Sequence, residues 1–299
     1  MKRNYPVGIQ NFEEIRKGNY LYIDKTALIY RLVESGKYYF LSRPRRFGKS
    51  LLISTLEAYF QGRKDLFEGL AMETLETEWT EYPILHLDLN TKKYENHSSL
   101  NEILNQHLEK WEAVYGDEKK ERSPEERFSY MIEKISTVTG RNVVILIDEY
   151  DKPMLQAIGN EALLTDYRNT LKTFYGVMKS CDRYIKFALL TGVTKFSKVS
   201  VFSDLNNLMD ISMSNRFANL CGITEEELYS NFQEDIIELG RQNKLTEEET
   251  KAALKEMYDG YHFTEESEDI YNPFSLLNTF AEMRFGSYWF ETGTPTFLV

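Results

Sequence analysis

The chain has 299 residues, 42% hydrophobic and 28% charged, which suits a soluble globular protein with one large domain and room for a smaller one. A net charge of −11 argues against broad, non-specific nucleic-acid binding, although a local basic groove is compatible with it. No apolar run approaches the roughly 20 residues that span a bilayer. The N-terminus lacks the apolar core of a signal peptide, and two cysteines without metal-ligand spacing make no disulfide framework, so cytoplasmic residence is expected.

Before residue 38, Tyr5-Pro6-Val7-Gly8-Ile9 leads into Asn11-Phe12-Glu13-Glu14-Ile15. Residues 20–23 read as a short strand that breaks at Asp24. Asp24 or Thr26 then starts a helix carrying Leu28, Ile29 and Leu32. Next comes an apolar run, Tyr38-Tyr39-Phe40-Leu41, followed by Arg43-Pro44-Arg45-Arg46-Phe47-Gly48-Lys49-Ser50 and an amphipathic run with Leu51, Leu52, Leu56, Tyr59 and Phe60. Strand, tight loop and helix form the context of a phosphate-binding P-loop, G-x-x-x-x-G-K-[ST].

Arg43 stands where that pattern has its first glycine. The cradling amides come mainly from the loop's second half and the helix N-terminus, Arg46 through Ser50, with Gly48 free to adopt a positive φ. The nucleotide-contacting stretch is therefore placed at Arg45, Arg46, Phe47, Gly48, Lys49, Ser50 and Leu51. Lys49 reaches the β- and γ-phosphates, and the Ser50 hydroxyl joins a Mg²⁺ shell. Gly8 and Ile9 suit a close backbone approach beside a base. The bland alternatives are a basic turn before a helix and plain packing of residues 8–9 on the sheet.

Residues 82–89 form the next strand, with Pro83 at its start. His86 reads as a satisfied core residue and Asp88 as a supporting carboxylate near the strand's end. Ser99 and Glu102 have capping-box spacing, residues 116–122 form a charged solvated turn, and Ser123-Pro124-Glu125-Glu126 opens a further helix. Val143-Val144-Ile145-Leu146-Ile147 is a strand buried on both faces, ending in Asp148-Glu149. Two adjacent carboxylates there are costly unless they face a cation or a cleft. In P-loop enzymes the first holds Mg²⁺ through water, and an adjacent Glu polarises the attacking water; a solvated acidic turn is the alternative.

Asp151 adds a third carboxylate, and a helix follows with Leu163, Tyr167, Leu171, Phe174 and Met178 in register. The strand at 184–190 ends in Thr191-Gly192, which places Thr191 either as a γ-phosphate sensor or as a loop-capping hydroxyl. Thr194 and Lys195 lie just beyond. Residues 206–213 are a candidate final strand, and Arg216 reads as a surface ion pair rather than a phosphate contact. Thr224 with Glu227 and Thr246 with Glu249 open charged helices of a small subdomain. Its aromatic turn, residues 257–263, reads as core. The apolar ending at 295–299 suggests a truncated chain.

Taken together, Gly8-Ile9 with Phe12, Tyr22-Ile23-Asp24-Lys25-Thr26, the loop from Ser42 to Ser50, and Ile147-Asp148-Glu149-Tyr150-Asp151 carry a family resemblance. So do Leu190-Thr191-Gly192-Val193, Tyr258-Asp259-Gly260-Tyr261-His262-Phe263 and Tyr271-Asn272-Pro273-Phe274-Ser275. The chain resembles the bacterial AAA-ATPase-like family, whose pattern includes an arginine at the Arg43 position. Members often carry a C-terminal restriction-endonuclease-like domain. The resemblance implies an α/β P-loop NTPase of the additional-strand, catalytic-Glu type: a three-layer α/β/α arrangement around a mainly parallel sheet, with the Asp148 strand next but one to the P-loop strand. Residues 1–218 form this domain and 219–299 a small, mainly helical subdomain, with any nuclease-like domain beyond Val299.

The leading functional expectation is Mg²⁺-dependent ATP binding and hydrolysis, driving or gating that effector. Lys49, Glu149 and Thr191 act on the phosphates and water, and Ser50 and Asp148 act at the metal. A second reading is a nucleotide-dependent switch that binds ATP with little turnover, which the lack of an evident arginine finger favours. Direct nucleic-acid binding through the small subdomain is a third reading, opposed by the acidic balance.

Overall fold

A computed structural model of the chain describes residues 4–116, 121–195, 201–203, 205–264, 266 and 268–289. The first half contains α1 (Phe12–Lys17), α2 (Thr26–Ser35), β1 (Tyr38–Ser42), α3 (Lys49–Phe60), α4 (Ala71–Leu75), β2 (Ile84–Asp88), α5 (Ser98–Tyr115), α6 (Pro124–Thr139) and β3 (Val143–Asp148). The second half contains α7 (Lys152–Gln156), α8 (Glu161–Ser180), β4 (Ile185–Gly192), β5 (Met209–Asp210), β6 (Ile223–Thr224), α9 (Glu225–Asn243), α10 (Glu247–Tyr258), β7 (Ile270–Tyr271) and α11 (Pro273–Glu282).

Five strands pair in parallel in the order β2-β3-β4-β1-β5, so β4 lies between the loop-bearing β1 and the Asp148-bearing β3. Side chains alternate across the sheet, as the two-residue strand period requires. Tyr38, Phe40, Ile145, Ile147 and Leu190 pack on one face with Leu104, Phe128 and Phe174 of α5, α6 and α8. Tyr39, Leu41, Val144, Leu146 and Leu189 pack on the other with Phe12, Leu32 and Leu56 of α1, α2 and α3. Burial on both faces explains why β3 reads as an unbroken apolar run. The result is the expected three-layer α/β/α arrangement.

A third cluster, including Leu228, Phe232, Ile236, Leu254 and Phe280, joins α9, α10 and α11; Tyr5, Leu21 and Ile23 from the N-terminal segment pack against it. The short antiparallel pair β6-β7 closes this lobe. Ser123, Thr224 and Thr246 each form the expected reciprocal capping box.

Several local expectations change. Residues 20–23 form no strand: their backbone is engaged by loop contacts such as Leu21 N–H to the Asn4 carbonyl (2.9 Å), with no ladder partner alongside. Asp24, one residue ahead of the Lys25 cap position, accepts from the Thr26 amide at 2.8 Å and its hydroxyl at 2.6 Å where α2 starts. The Ser99/Glu102 box does not form, because α5 starts at Ser98 and Asn96 Oδ1 accepts the Ser98 amide at 3.0 Å. The last strand shrinks to Met209–Asp210, since Asp210 Oδ1 turns back to the Ser212 amide (2.9 Å). His86 is half-buried rather than core, with Nδ1 3.5 Å from Glu57. Much of the charged turn at 116–122, and the ending at 295–299, lie outside the described residues. Among the described residues no helix is long and apolar enough to cross a membrane.

Candidate functional site

The site forms where β1 and β3 end. Between β1 and α3 the loop turns through left-handed conformations at Arg46 (φ 67°) and Gly48 (φ 93°). For Gly48 this carries no steric penalty, and α3 then begins at Lys49, its first turn lining the cleft. Lys49 is only 4% exposed; Nζ donates to the Arg43 and Pro44 carbonyls at 3.1 and 3.3 Å and lies 3.4 Å from Glu149 Oε1.

Ser50 Oγ donates to Asp148 Oδ2 at 2.6 Å. The other carboxylate oxygen, Oδ1, accepts the Thr191 hydroxyl and, at 3.1 Å, the Glu149 amide. Thr191 is fully buried, so its hydroxyl serves Asp148 rather than facing the cleft. Glu149 has a left-handed backbone (φ 55°) that swings its side chain off the strand's period towards Lys49. Burial pushes its carboxyl above the usual carboxylate range, against the pull of Lys49.

Asp151 is buried behind this pair. Its Oδ2 accepts from the Val193 amide (3.0 Å), the Thr194 amide (2.7 Å) and the Thr194 hydroxyl (2.7 Å), tying the segment after β4 to the segment after β3. Asp88 lies opposite Asp148 in the sheet register, but its side chain caps the Asn90 amide at 2.7 Å. Lys195 pairs with Asp210 at 3.2 Å. Arg216 stacks over Phe217 at 5.3 Å, and no ion pair to it is found among the described residues.

A cleft of about 340 Å³ opens above the loop, with Arg45, Arg46, Gly48, Lys49, Ser50, Leu51 and Glu149 along it. Gly8 and Ile9 form part of its rim, as their backbone suggested. Phe47 is different: it is not among the residues lining the cleft, and its ring is buried against Tyr261 and Phe263. Asn90, Pro273, Phe274 and Leu277 also line the cleft and were not expected there. Pro273 at the first position of α11, behind the Asn272 cap, marked a helix start. Nothing local could show that this helix would reach a loop more than two hundred residues earlier.

The parallel α/β sheet, with the loop strand and the acidic strand separated by one neighbour, is a P-loop NTPase-like fold. A family model described as "Predicted AAA-ATPase" matches residues 6–202. An uncharacterised protein from the vnfD 5′ region of Azotobacter chroococcum mcd 1 is 40% identical over 300 residues, covering all of this chain and 56% of that protein. The chain therefore belongs to the predicted AAA-ATPase family and spans little more than half the length of that relative.

Proposed function

We propose that the chain binds a nucleoside triphosphate, ATP by family expectation, together with Mg²⁺, and hydrolyses its terminal anhydride. The observation that carries this reading is the convergence of Lys49 and Ser50 on Glu149 and Asp148, with Nζ 3.4 Å from Oε1 and Oγ 2.6 Å from Oδ2. Ser50 and Asp148 would supply oxygen donors suited to holding a Mg²⁺. A cation held there would supply charge neutralisation to the phosphates. Lys49 exchanges its loop carbonyls and Glu149 for phosphate oxygens, and the loop amides cradle the same group. Glu149, released from Lys49, holds the attacking water and takes its proton as the bond to the leaving diphosphate breaks.

Thr191 acts in this scheme through Asp148. Gly8 and Ile9 with Pro273 and Phe274 form the walls against which a base would lie. The division at residue 218, cytoplasmic residence, and coupling of hydrolysis to a further effector domain belong to the same proposal.

Mg²⁺-dependent nucleotide binding and phosphate release test it in wild type, Lys49→Ala and Glu149→Gln. Binding is expected to be lost in the first variant, and kept without phosphate release in the second. Tight wild-type binding with no release would favour the switch reading. Absence of binding to any nucleotide would overturn both.

A further inference from the structure

The residues that make this P-loop unusual are the ones the C-terminal lobe touches. Arg43, in the place of the first glycine, is 1% exposed, and its guanidinium donates to backbone carbonyls. Its Nη1 donates to the Ser42 and Ser212 carbonyls at 2.9 and 2.7 Å, and Nη2 donates to the Ala218 carbonyl at 3.3 Å. The ring of Phe263 covers one face of the guanidinium, 3.9 Å from its carbon. A desolvated cation against an aromatic face is a strong form of that contact.

Phe47 meets the same turn, with ring centroids 4.6 Å from Tyr261 and 5.7 Å from Phe263, both edge-on. Gly222 lets the chain pass this close: it has φ 93°, and an added Cβ would lie 2.2 Å from Ile270 Cγ2 and 3.3 Å from Phe47. Arg45 and Arg46, which lie between Arg43 and Phe47, also meet C-terminal aromatics. The Trp289 indole donates to the Arg45 carbonyl at 2.9 Å, and Arg46 lies over the Phe274 ring at 4.8 Å.

We propose that Tyr261 and Phe263 are positioning residues for the phosphate site: they hold Arg43 and Phe47, and through them the curvature of residues 43–48 that aims the amides and Lys49 at phosphate. Arg43 then does the work of the missing glycine by a different means. A glycine leaves the loop free to bend, whereas Arg43 bolts a bent loop to the carbonyls of 212 and 218 and to an aromatic lid. The two halves of the chain are coupled by the same contacts. Phosphate binding and docking of the aromatic turn favour one another, and linkage makes that effect reciprocal. The inference rests on the nucleotide reading for its functional consequence, but the support of the loop is a property of the free protein.

The experiment compares wild type with Phe263→Leu and Phe263→Tyr in the whole chain. Mg²⁺·ATP affinity and kcat are measured alongside amide hydrogen exchange without nucleotide. In Phe263→Leu, affinity should fall about tenfold, with a smaller change in kcat. Exchange should quicken at residues 43–50 and 212–222 while the β3 amides stay protected. Phe263→Tyr, which keeps the aromatic face, should behave as wild type on both counts. Unchanged exchange and affinity in a folded Phe263→Leu protein would overturn the proposal, as would equal losses in the leucine and tyrosine variants. Faster exchange at the loop in a protein that binds no nucleotide at all would uphold the support of the loop and overturn the hydrolysis reading instead.

Discussion

Ser50 Oγ and Asp148 Oδ2 lie 2.6 Å apart although 98 residues separate them, and Thr191 fastens the opposite oxygen of the same carboxylate. The carboxylate is therefore held from both sides. A group that orients a metal ligand is typically worth ten- to a hundredfold in metal affinity.

Thr191→Val removes the hydroxyl while keeping the shape of the side chain. Mg²⁺ affinity in the presence of nucleotide should fall by about ten- to a hundredfold. Nucleotide binding in chelator should be unchanged, and Thr191→Ser should restore the wild-type titration. Calorimetric Mg²⁺ titration reads the result, and a wild-type curve for Thr191→Val would remove Thr191 from the site.

Glu149 makes a prediction through pH. Burial first, then the neighbouring acids Asp151 and Asp148, raise its folded pKa above 4.5, while Lys49 opposes them. Between 4.5 and the raised value the folded protein keeps a proton that the unfolded chain has released, so stability falls as pH rises through that window. Glu149→Gln has no such loss. It should melt above wild type at pH 8, and most of that advantage should vanish at pH 4. Equal melting differences at both pH values would show that Glu149 titrates normally.

Gly192 ends β4 against the acidic segment. A Cβ there would lie 2.5 Å from Tyr150 Cδ1 and 2.7 Å from Asp151 Oδ1, in a place where both residues are fully buried. Gly192→Ala should destabilise the fold by about 2 kcal/mol through overpacking. Denaturant unfolding checks it, and an unaltered midpoint would mean that Tyr150 can move aside.

Far from the cleft, buried Arg127 grips Glu112 through two contacts of 2.7 Å and Asn105 through one of 2.6 Å, joining α6 to α5. Arg127→Met strands the Glu112 carboxylate and should cost about 4 kcal/mol. Adding Glu112→Leu should recover most of that, because the stranded charge is gone. Additive losses in the double variant would contradict this account.

Much of the fold was legible in local pattern. The apolar run ending in Asp148-Glu149, the Gly48-Lys49-Ser50 loop between strand and helix, and the capping pairs at Ser123, Thr224 and Thr246 all depend on neighbours within a few residues. Where the pattern misled, a competing local partner won: Asn96, just ahead of the helix, accepts from Ser98 and Ser99, and Asp210 turned the chain towards Ser212 and cut β5 short. Thr191 was placed at the right strand end, yet its hydroxyl turns to Asp148, a direction that strand period cannot specify.

The sequence by itself determined the α/β class, the order of the main elements and the loop and acidic strand end that face one another, because periodicity, capping and loop chemistry are short-range. Only the tertiary structure decided what Arg43 and Phe47 touch. Their partners, the carbonyls at 212 and 218 and the rings of Tyr261 and Phe263, are brought to the loop by chain closure over more than 160 residues. Contacts of that separation arise from the packing of whole layers, which leaves no local trace in the residues that make them.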